Sequence, residues 1–311
     1  MISIPILILV LVSSSFLIYL TQHFFLKYKI TDKINSRSSH SSVATRSGGI
    51  SVFILLFIFG LYNYMFGYEL FDNSLLVPLS ILTLVGLYDD LYSVDSSLKF
   101  LFQIIAAKII LDTGLVVDQL HGFLGVYEIN RISSQVLTIF IIVAIINSIN
   151  FIDGIDGLLS LIFIKFIVLF EFFSYNTSPL IDFSIIIIAS ILPLLYFNLR
   201  KKNKVFFGDA GSLLLGGIVS IYVIYSLGPN YEIKPQYDLH KILFIISILF
   251  YPIVDLILIF FKRIIRGDSP FKADKKHLHH LVLDKFKVHY ISTLFIFSIS
   301  LSITFIIHFI F

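Results

Sequence analysis

Long apolar stretches alternate with short polar segments from one end of this chain to the other, and this alternation limits the folds that the chain can adopt. Ten stretches each approach the roughly 20 apolar residues with which an α-helix crosses a bilayer. Charged residues make up only 14% of the 311 residues, against roughly a quarter in a soluble domain. The sequence therefore predicts an all-α integral membrane protein, a single domain over residues 1–311, with about ten and at most eleven transmembrane helices. The predicted spans are 4–25, 48–66, 75–90, 99–117, 135–151, 157–173, 181–198, 212–228, 241–262 and 290–310.

Basic residues indicate the orientation of these spans. The first apolar stretch has no basic residue before it and is followed by Lys27, Lys29 and Lys33, which is typical of a retained anchor with its N-terminus outside. With that orientation, eighteen lysines and arginines fall on the cytoplasmic side and three on the opposite side. Because positive charge is enriched in cytoplasmic loops, we expect a multi-pass protein of the cell inner (cytoplasmic) membrane.

Polar residues are gathered into clusters that all fall on the predicted cytoplasmic side. Four of them lie where apolar spans begin or end: Asp89-Asp90, Asn147 through Asp156, Gly208-Asp209 and His277 through His280. Such groups are costly in hydrocarbon, so they should face the protein interior or water. Mere helix caps would be scattered over both faces. We therefore expect the clusters to meet in one active site that faces the cytoplasm.

Asp89 and Asp90 are adjacent carboxylates at the end of the third span. Two neighbouring carboxylates repel each other, and that arrangement suits a general base or a partner of Mg²⁺. Lys99, at the start of the next span, could answer this charge or hold a phosphate. The alternative is a solvated helix end.

Four oxygen-bearing side chains recur every three residues: Asn147, Asn150, Asp153 and Asp156. This spacing places them near one stripe of a helix end. Their oxygens are hard ligands, suited to Mg²⁺ or to contacts with a ribose and a base. The alternative is a turn rich in Asn and Asp between two spans.

Asp209 lies in the sequence GDAGS at the start of a helix. Backbone N–H groups and the helix dipole favour phosphate there, and the carboxylate could hold a metal ion that bridges phosphate oxygens. A simple helix N-cap is the alternative. Arg46 precedes two glycines at the start of the second span, after the segment 35–40, and indicates a weaker anion site.

His277, His279 and His280 follow the basic segment 274–276 in the last predicted cytoplasmic loop. The chain has no cysteine, and zinc sites on helices prefer histidines at i and i+4. The histidines therefore resemble a phosphate clamp more than a zinc site. Asp255, an acid inside the ninth span, is expected to pair with a site cation or to close a helix contact.

Together these groups indicate phosphoryl transfer on a pyrophosphate, with Mg²⁺ neutralising the diphosphate and its leaving group. A setting at the inner leaflet suggests that one reactant is a lipid. An ion-coupled transporter is the alternative from another class, but it would place its acids near mid-bilayer in paired repeats, which the sequence does not show. A CDP-alcohol phosphatidyltransferase would need its own Asp/Gly/Arg motif, which is also not found.

The sequence resembles the polyprenyl-phosphate N-acetylhexosamine-1-phosphate transferases, the glycosyltransferase 4 family. The resemblance runs from about Asp32 to Leu283 and rests on the acidic pair, NSINFIDGIDGL, GDAGS and HLHH, in the family's order. RGDSPFKADKKHLHHL and NSRSSH…RSGGI are similar to the branch that uses UDP-GlcNAc or its 6-deoxy relatives. The chain departs from the family pattern at 43–46 and at 202–204.

This resemblance implies a role for each matching residue. Asp89 and Asp90 would serve the lipid phosphate, as base or by positioning, and Asn150 and Asp209 would hold Mg²⁺, with Mn²⁺ as the alternative. The other implied site residues are Asp156, His279 and His280 as catalytic groups, and Arg46, Lys99, Asn147, Asp153, Asn198 and His277 as substrate-binding groups.

The implied reaction transfers an N-acetylhexosamine-1-phosphate from a UDP-sugar to undecaprenyl phosphate, releases UMP and starts a cell-envelope polysaccharide such as a lipopolysaccharide O-antigen or a cell-wall polymer. The implied partners are undecaprenyl phosphate, UDP-N-acetylhexosamine and membrane lipid, with no nucleic acid; a homodimer is left open. A relative that binds polyprenyl phosphate without catalysis is a further alternative, against which the intact acidic set argues.

Overall fold

The computed structural model of the chain describes residues 4–32, 43–68, 70–229, 231–233, 238–267 and 277–310. The segments 35–40 and 274–276, both part of the sequence predictions, lie outside these ranges.

Twelve α-helices and four short strands make up the regular structure of the described residues. The helices are α1 (Ile4–Lys27), α2 (Gly48–Phe66), α3 (Leu76–Tyr92), α4 (Ser96–Asp112), α5 (Arg131–Phe151), α6 (Leu158–Phe172), α7 (Ile181–Leu199), α8 (Gly208–Leu227), α9 (Asp238–Ile248), α10 (Phe250–Ile265), α11 (Leu278–Phe286) and α12 (His289–Ile310). The strands are β1 (Ala44–Thr45), β2 (Gln119–Phe123), β3 (Val126–Glu128) and β4 (Lys204–Val205), and a 3-10 turn at Asn73–Leu75 precedes α3.

A helix lies at each of the ten apolar stretches predicted from the sequence, and the ninth stretch is broken into α9 and α10. Within the described residues, seven helices are long and apolar enough to cross a membrane, or eight if the pair α9 and α10, bent by 75°, counts as one span. The helices α4 and α6, with 17 and 15 residues, are shorter than the roughly 20 residues that cross a bilayer. The chain is thus a helical, multi-pass membrane protein; the number ten and the orientation stay predictions.

Local signals explain several helix boundaries. Asn130 caps α5, because its side chain accepts a hydrogen bond from the Ser133 N–H at 3.0 Å. Helix α2 ends at Gly67, whose φ of 68° is the left-handed conformation that glycine adopts readily. Pro252 lies in the first turn of α10, where a missing N–H costs no helical hydrogen bond, so α10 starts afresh after the bend at Leu249.

The chain divides into two compact units, and each unit is built from two separate stretches. The first unit comprises Met1–Ile109 and Thr177–Leu215, and the second comprises Ile110–Asn176 and Gly216–Phe311.

In the first unit, α1 packs against α2 and α7. The Ser14 hydroxyl donates to the Ser190 carbonyl at 2.7 Å, which joins α1 to α7 by a buried hydrogen bond. Strands β1 and β4 pair in parallel, with Ala44 opposite Lys204 and Thr45 opposite Val205. The two loops that depart from the family pattern are therefore hydrogen-bonded to each other.

In the second unit, α12 packs against α6, α9, α10 and α11, and it buries a polar stripe. Ser300, Thr304 and His308 recur every four residues on one face. The Lys165 ammonium donates to the Ser300 hydroxyl at 2.6 Å, and His308 contacts His240 at 3.1 Å between ring nitrogens. Lys165 is thus paired inside the second unit, whereas Lys108 is exposed on α4.

Candidate active site

Three carboxylates of the first unit are brought together by a close contact between the end of α3 and the start of α8. A Cβ atom placed on Gly86 would lie 2.3 Å from the carbonyl oxygen of Asp209 and 2.5 Å from the nitrogen of Ala210. Only glycine allows the two backbones to approach so closely. This contact places Asp89 and Asp90, one turn after Gly86, beside Asp209.

Two cations lie among these carboxylates. The Lys99 ammonium donates to Asp89 at 3.1 Å and also to Asp209. The Arg46 guanidinium pairs with Asp90 at 3.3 Å and with Asp32 at 2.7 Å. Burial disfavours the charge of Arg46, but Asp32, Asp90 and Asp209 outweigh it and raise the pKa of Arg46. The cluster therefore alternates negative and positive groups.

The three carboxylates differ in access. The Asp90 side chain is 1% exposed, whereas that of Asp209 is 27% exposed. Asp90 also accepts a hydrogen bond from the Ala210 N–H at 3.1 Å, and Asp89 accepts one from the Val94 N–H at 2.6 Å. Asp90 is thus held in place from several sides, while Asp209 can reach a ligand.

The turn before α8 requires glycine at position 208. Gly208 has a φ of 68°, and a Cβ atom there would lie 2.4 Å from the Asp90 carboxylate. The pairing of β1 with β4 holds this turn in place, because the Phe206 N–H donates to the Thr45 carbonyl at 2.8 Å. The sequence predicted an anion site at Gly208 and Asp209, and the structure gives the turn a second purpose, to seat the carboxylate of Asp90.

A cavity of about 610 Å³ adjoins the acidic cluster within the first unit. Its wall combines charged, hydroxyl and apolar side chains: Phe25, Lys29, Ile30, Thr31, Asp32, Arg46, Asp90, Leu91, Tyr92 and Ser93. A ligand there would meet both Arg46 and the back of the acidic pair.

Asn198, a predicted substrate-binding residue, supports the backbone of β4 instead of opening onto this cavity. It is 6% exposed, and its amide donates to the Val205 carbonyl at 3.0 Å. Its role toward a substrate stays a prediction.

The Asn/Asp stripe belongs to the second unit. Asn147 and Asn150 lie on the last turns of α5, and Asp153 lies in the turn that follows; all three are half-buried. Asp156 is buried, its carboxylate lies 3.5 Å from Nδ1 of His289, and its carbonyl accepts from the Thr293 hydroxyl at 2.8 Å. The start of α12 therefore anchors this loop.

The histidines of the second unit form a stacked group at the start of α11. The rings of His277 and His279 are 5.4 Å apart and nearly parallel, and those of His279 and His280 are 4.3 Å apart. His277 pairs with the buried Asp255 at 2.6 Å. Asp255 also accepts from the Leu278 N–H, so the expectation that it closes a helix contact is confirmed.

His279 is the most enclosed of the three histidines. It is 1% exposed, and its Nδ1 lies 3.2 Å from the Tyr251 hydroxyl. Its Nε2 has no hydrogen-bond partner among the described residues and lies against Gly154, where a Cβ atom would be 2.0 Å away. Burial, with the neighbouring His280 and His277, holds the pKa of His279 well below its usual range.

Each unit thus gathers part of the predicted set. The first unit brings together Arg46, Asp89, Asp90, Lys99 and Asp209, and the second brings together Asn147, Asn150, Asp153, Asp156, His277, His279 and His280. No role was predicted for Asp32, Gly86, Tyr251 or His289. Each of these residues flanks a predicted span or lies within one, and that position is only a weak indication of a functional site.

The donors of the acidic cluster suit a divalent cation. Asp89 and Asp209 contact each other through their carboxyl groups, and the Lys99 ammonium lies between them. Mg²⁺ commonly takes one or two carboxylates and completes its shell with water and substrate phosphates. The described residues contain no group of three or more His, Asp or Glu placed to hold a metal ion. Apolar helices that carry such a cluster are typical of an enzyme that acts at a membrane on a phosphate-bearing substrate.

The sequence is similar to those of known proteins. The family described as "Glycosyl transferase family 4" matches residues 73–227. The undecaprenyl-phosphate alpha-N-acetylglucosaminyl 1-phosphate transferase of Salmonella typhi is 32% identical over 291 residues, 89% of this chain and 75% of that protein. Proteins with the same name from Haemophilus influenzae and Pasteurella multocida are 33% and 35% identical, over 82% and 83% of this chain and 72% of each relative. The chain belongs to glycosyl transferase family 4.

Replacement of Gly86 by alanine should damage the acidic cluster. The added methyl group collides with the backbone of Asp209, and overpacking of this kind costs about 1–3 kcal/mol of stability. Because α3 must move away from α8, turnover should fall about 100-fold, as expected for a misplacement of about 1 Å. Thermal unfolding and kcat of the purified protein measure both effects. Gly228→Ala is the control, since a Cβ atom there meets only the Tyr225 carbonyl, at 3.2 Å; equal effects of the two changes would contradict this reading.

The buried His279 should make the protein less stable in acid. Its pKa is lowered in the folded state, so the unfolded chain binds a proton first, and stability present above about pH 6.5 is lost as the pH falls below that value. The slope is at most about 1.4 kcal/mol per pH unit for one proton. His279→Asn should show a smaller loss of thermal midpoint between about pH 7 and pH 5. His23→Asn, a change of an exposed histidine on α1, should keep the wild-type loss; a His279→Asn curve parallel to wild type would refute the prediction.

Proposed function

We propose that this protein transfers an N-acetylhexosamine-1-phosphate from a UDP-sugar to undecaprenyl phosphate and releases UMP. The observation that carries the proposal is the cluster in which Lys99 bridges the carboxylates of Asp89 and Asp209. The names of the relatives support undecaprenyl phosphate as the acceptor and an N-acetylglucosaminyl 1-phosphate as the group transferred.

The reaction exchanges one phosphorus–oxygen bond for another. An oxygen of the lipid phosphate forms a bond to the sugar-linked phosphorus of the donor. The bond from that phosphorus to the bridging oxygen breaks, and UMP leaves with that oxygen. The product is undecaprenyl diphosphate-sugar, so the phosphate group travels with the sugar.

The acidic cluster serves the acceptor in this proposal. Asp89 is the more accessible member of the pair, and it takes the remaining proton from, or orients, the attacking phosphate. Asp90 is fixed by Arg46 and the Ala210 N–H, so it keeps α3 and α8 in register at the site. Lys99 offers an ammonium to a phosphate oxygen.

Asp209 and Asn150 remain the proposed ligands of Mg²⁺, which when bound neutralises charge on the diphosphate. The half-buried Asn147 and Asp153 are proposed to contact the nucleotide, and the histidines of α11 are proposed to contact the diphosphate and sugar. The active site is proposed to face the cytoplasm, as the distribution of lysine and arginine indicates. The product would start a cell-envelope polysaccharide.

A screen of donors tests this proposal. Purified protein in detergent receives undecaprenyl phosphate and one UDP-sugar at a time, beginning with UDP-GlcNAc, and UMP is measured by chromatography. We expect UMP release that requires the lipid and stops when EDTA removes the divalent cation. UDP-sugars that release no UMP with the lipid, across the whole screen, would reject the proposal.

A further inference from the structure

Asp255 is a fully buried acid on α10, inside the part of the chain that is apolar enough to span the membrane. Its two oxygens take different donors. One accepts from Nδ1 of His277 at 2.6 Å, and the other accepts from the Leu278 N–H at 2.7 Å. A buried carboxylate inside a membrane is costly unless it is fully hydrogen-bonded. The two hydrogen bonds therefore offset the cost of burying Asp255.

The contact with Leu278 makes Asp255 the N-terminal cap of α11. His277 occupies the N-cap position of that helix but makes no capping hydrogen bond with its own side chain. A carboxylate from another helix replaces that cap and lies at the positive end of the helix dipole. The start of α11 is therefore fixed to α10.

The contact with His277 also fixes the ring. A carboxylate that bonds Nδ1 holds a proton on that nitrogen, and this selects the tautomer and the ring orientation. The His277 ring lies between Phe151, with centroids 5.2 Å apart, and the nearly parallel His279 ring at 5.4 Å. Within the described part of the chain, Nε2 of His277 has no hydrogen-bond partner. That nitrogen is the polar atom of the ring left for a ligand.

His279 differs from His277 in the partner of its Nδ1 and in the access to its Nε2. Its Nδ1 contacts the Tyr251 hydroxyl, and its Nε2 lies against Gly154, with no room for even a methyl group between them. A substrate atom cannot reach that nitrogen while this packing persists. His279 therefore supports the ring stack, whereas His277 has its Nε2 left for a ligand.

We propose that Asp255 is a positioning residue for the transfer reaction, and that it fixes His277 so that Nε2 contacts an oxygen of the donor diphosphate. This inference rests on the proposed function. A phosphate oxygen at Nε2 needs an N–H donor there, so the ring that binds it has an N–H on both nitrogens; the Asp255 carboxylate at Nδ1 faces the positive charge of that ring, and Nε2–H donates a charge-assisted hydrogen bond to the phosphate oxygen.

Asp255→Asn tests the positioning role. An amide has one acceptor oxygen where the carboxylate has two, so asparagine can keep the Leu278 cap while it turns its NH₂ group toward His277. Nδ1 then accepts a hydrogen bond instead of donating one, the ring is neutral, and Nε2–H makes an uncharged hydrogen bond to the phosphate that is about half as strong. We expect kcat with UDP-GlcNAc and undecaprenyl phosphate to fall about 10–100-fold, while KM for the lipid and the thermal midpoint stay close to wild type. Asp284→Asn, an exposed acid on α11 that is 77% exposed, should keep the wild-type kcat. If Asp255 were only a cap, Asp255→Asn would keep full kcat, and the proposal would fail.

A pair of His277 variants tests the same idea without changing Asp255, should Asp255→Asn fold poorly. Asparagine can place an N–H near the position of Nδ1 and keep the bond to Asp255, but it has no atom at the position of Nε2. Glutamine reaches farther, to the position of Nε2. We expect His277→Asn to fold with wild-type thermal midpoint and lose at least 10-fold in kcat, and His277→Gln to keep more kcat than His277→Asn.

Equal kcat of His277→Asn and wild type would overturn the assignment of Nε2. A wild-type protein without turnover would instead reject the proposed function, so the two failures are distinguishable.

Discussion

Replacement of Asp209 by asparagine is expected to lower kcat by about 100- to 1000-fold, the range found when one preorganised electrostatic group is removed from an active site. The amide keeps the size of the side chain but removes the charge that Lys99 contacts. It also removes an oxygen anion that a divalent cation could bind. The backbone contacts of the turn, from Gly86 to Asp209 and from the Ala210 N–H to Asp90, do not depend on this carboxylate. The protein should therefore fold with a thermal midpoint close to wild type.

The matched control for this change is Asp182→Asn. Asp182 is the acid in the first turn of α7, as Asp209 is the acid in the first turn of α8. Both acids interact favourably with a helix dipole, so the control isolates the part of the effect that comes from the cluster. Steady-state UMP release measures kcat for both variants. Full turnover by Asp209→Asn would remove the metal role that we assign to this residue.

Replacement of Lys99 by glutamine is expected to lower kcat about 100-fold, because it removes the ammonium between two carboxylates and the cation proposed to hold a phosphate oxygen. The carboxyl groups of Asp89 and Asp209 contact each other. Without Lys99, the remaining cation near them among the described residues is Arg46, which already pairs with Asp90 and Asp32. The loss should be larger at low Mg²⁺ than at high Mg²⁺, since a divalent cation can restore part of the missing charge.

Lys108→Gln is the control for this prediction, as Lys108 is exposed on the same helix, nine residues after Lys99. Its kcat should equal that of wild type at every Mg²⁺ concentration. A titration of UMP release against Mg²⁺ for the three proteins gives the comparison. A Lys99→Gln variant with wild-type kcat at low Mg²⁺ would exclude the bridging role of Lys99.

The lengths of the apolar stretches predicted where the helices lie, because an α-helix needs about 20 apolar residues to cross a bilayer. It could not predict the bend between α9 and α10, since stretch 241–262 is apolar on both sides of Leu249. The direction of a helix is set by tertiary packing, which apolar length does not encode. The hairpin of β2 and β3, with Gln119 opposite Glu128, was also missed, because strands of five and three residues are too short for a clear period-2 pattern.

The sequence motifs predicted which carboxylates form the acidic cluster better than they predicted the contacts that hold these carboxylates in place. Asp89, Asp90 and Asp209 were expected to act together, and the first unit places them together. No sequence motif marks Asp32 as the second partner of Arg46. Gly86 is likewise unmarked, because its importance depends on a backbone segment more than 120 residues away. Contacts between distant segments are set by the tertiary fold, and local spacing does not contain them.

The fate of the donor's phosphate gives the most direct test of the central claim. UDP-GlcNAc labelled with ³²P in the sugar-linked phosphate and with ¹⁴C in the sugar is incubated with undecaprenyl phosphate and the purified protein, and the lipid is extracted. Transfer of a sugar-1-phosphate predicts equal amounts of ³²P and ¹⁴C in the lipid and unlabelled UMP in the aqueous phase. Lipid that carries ¹⁴C without ³²P, with labelled UDP in the aqueous phase, would show transfer of the sugar alone and contradict the mechanism.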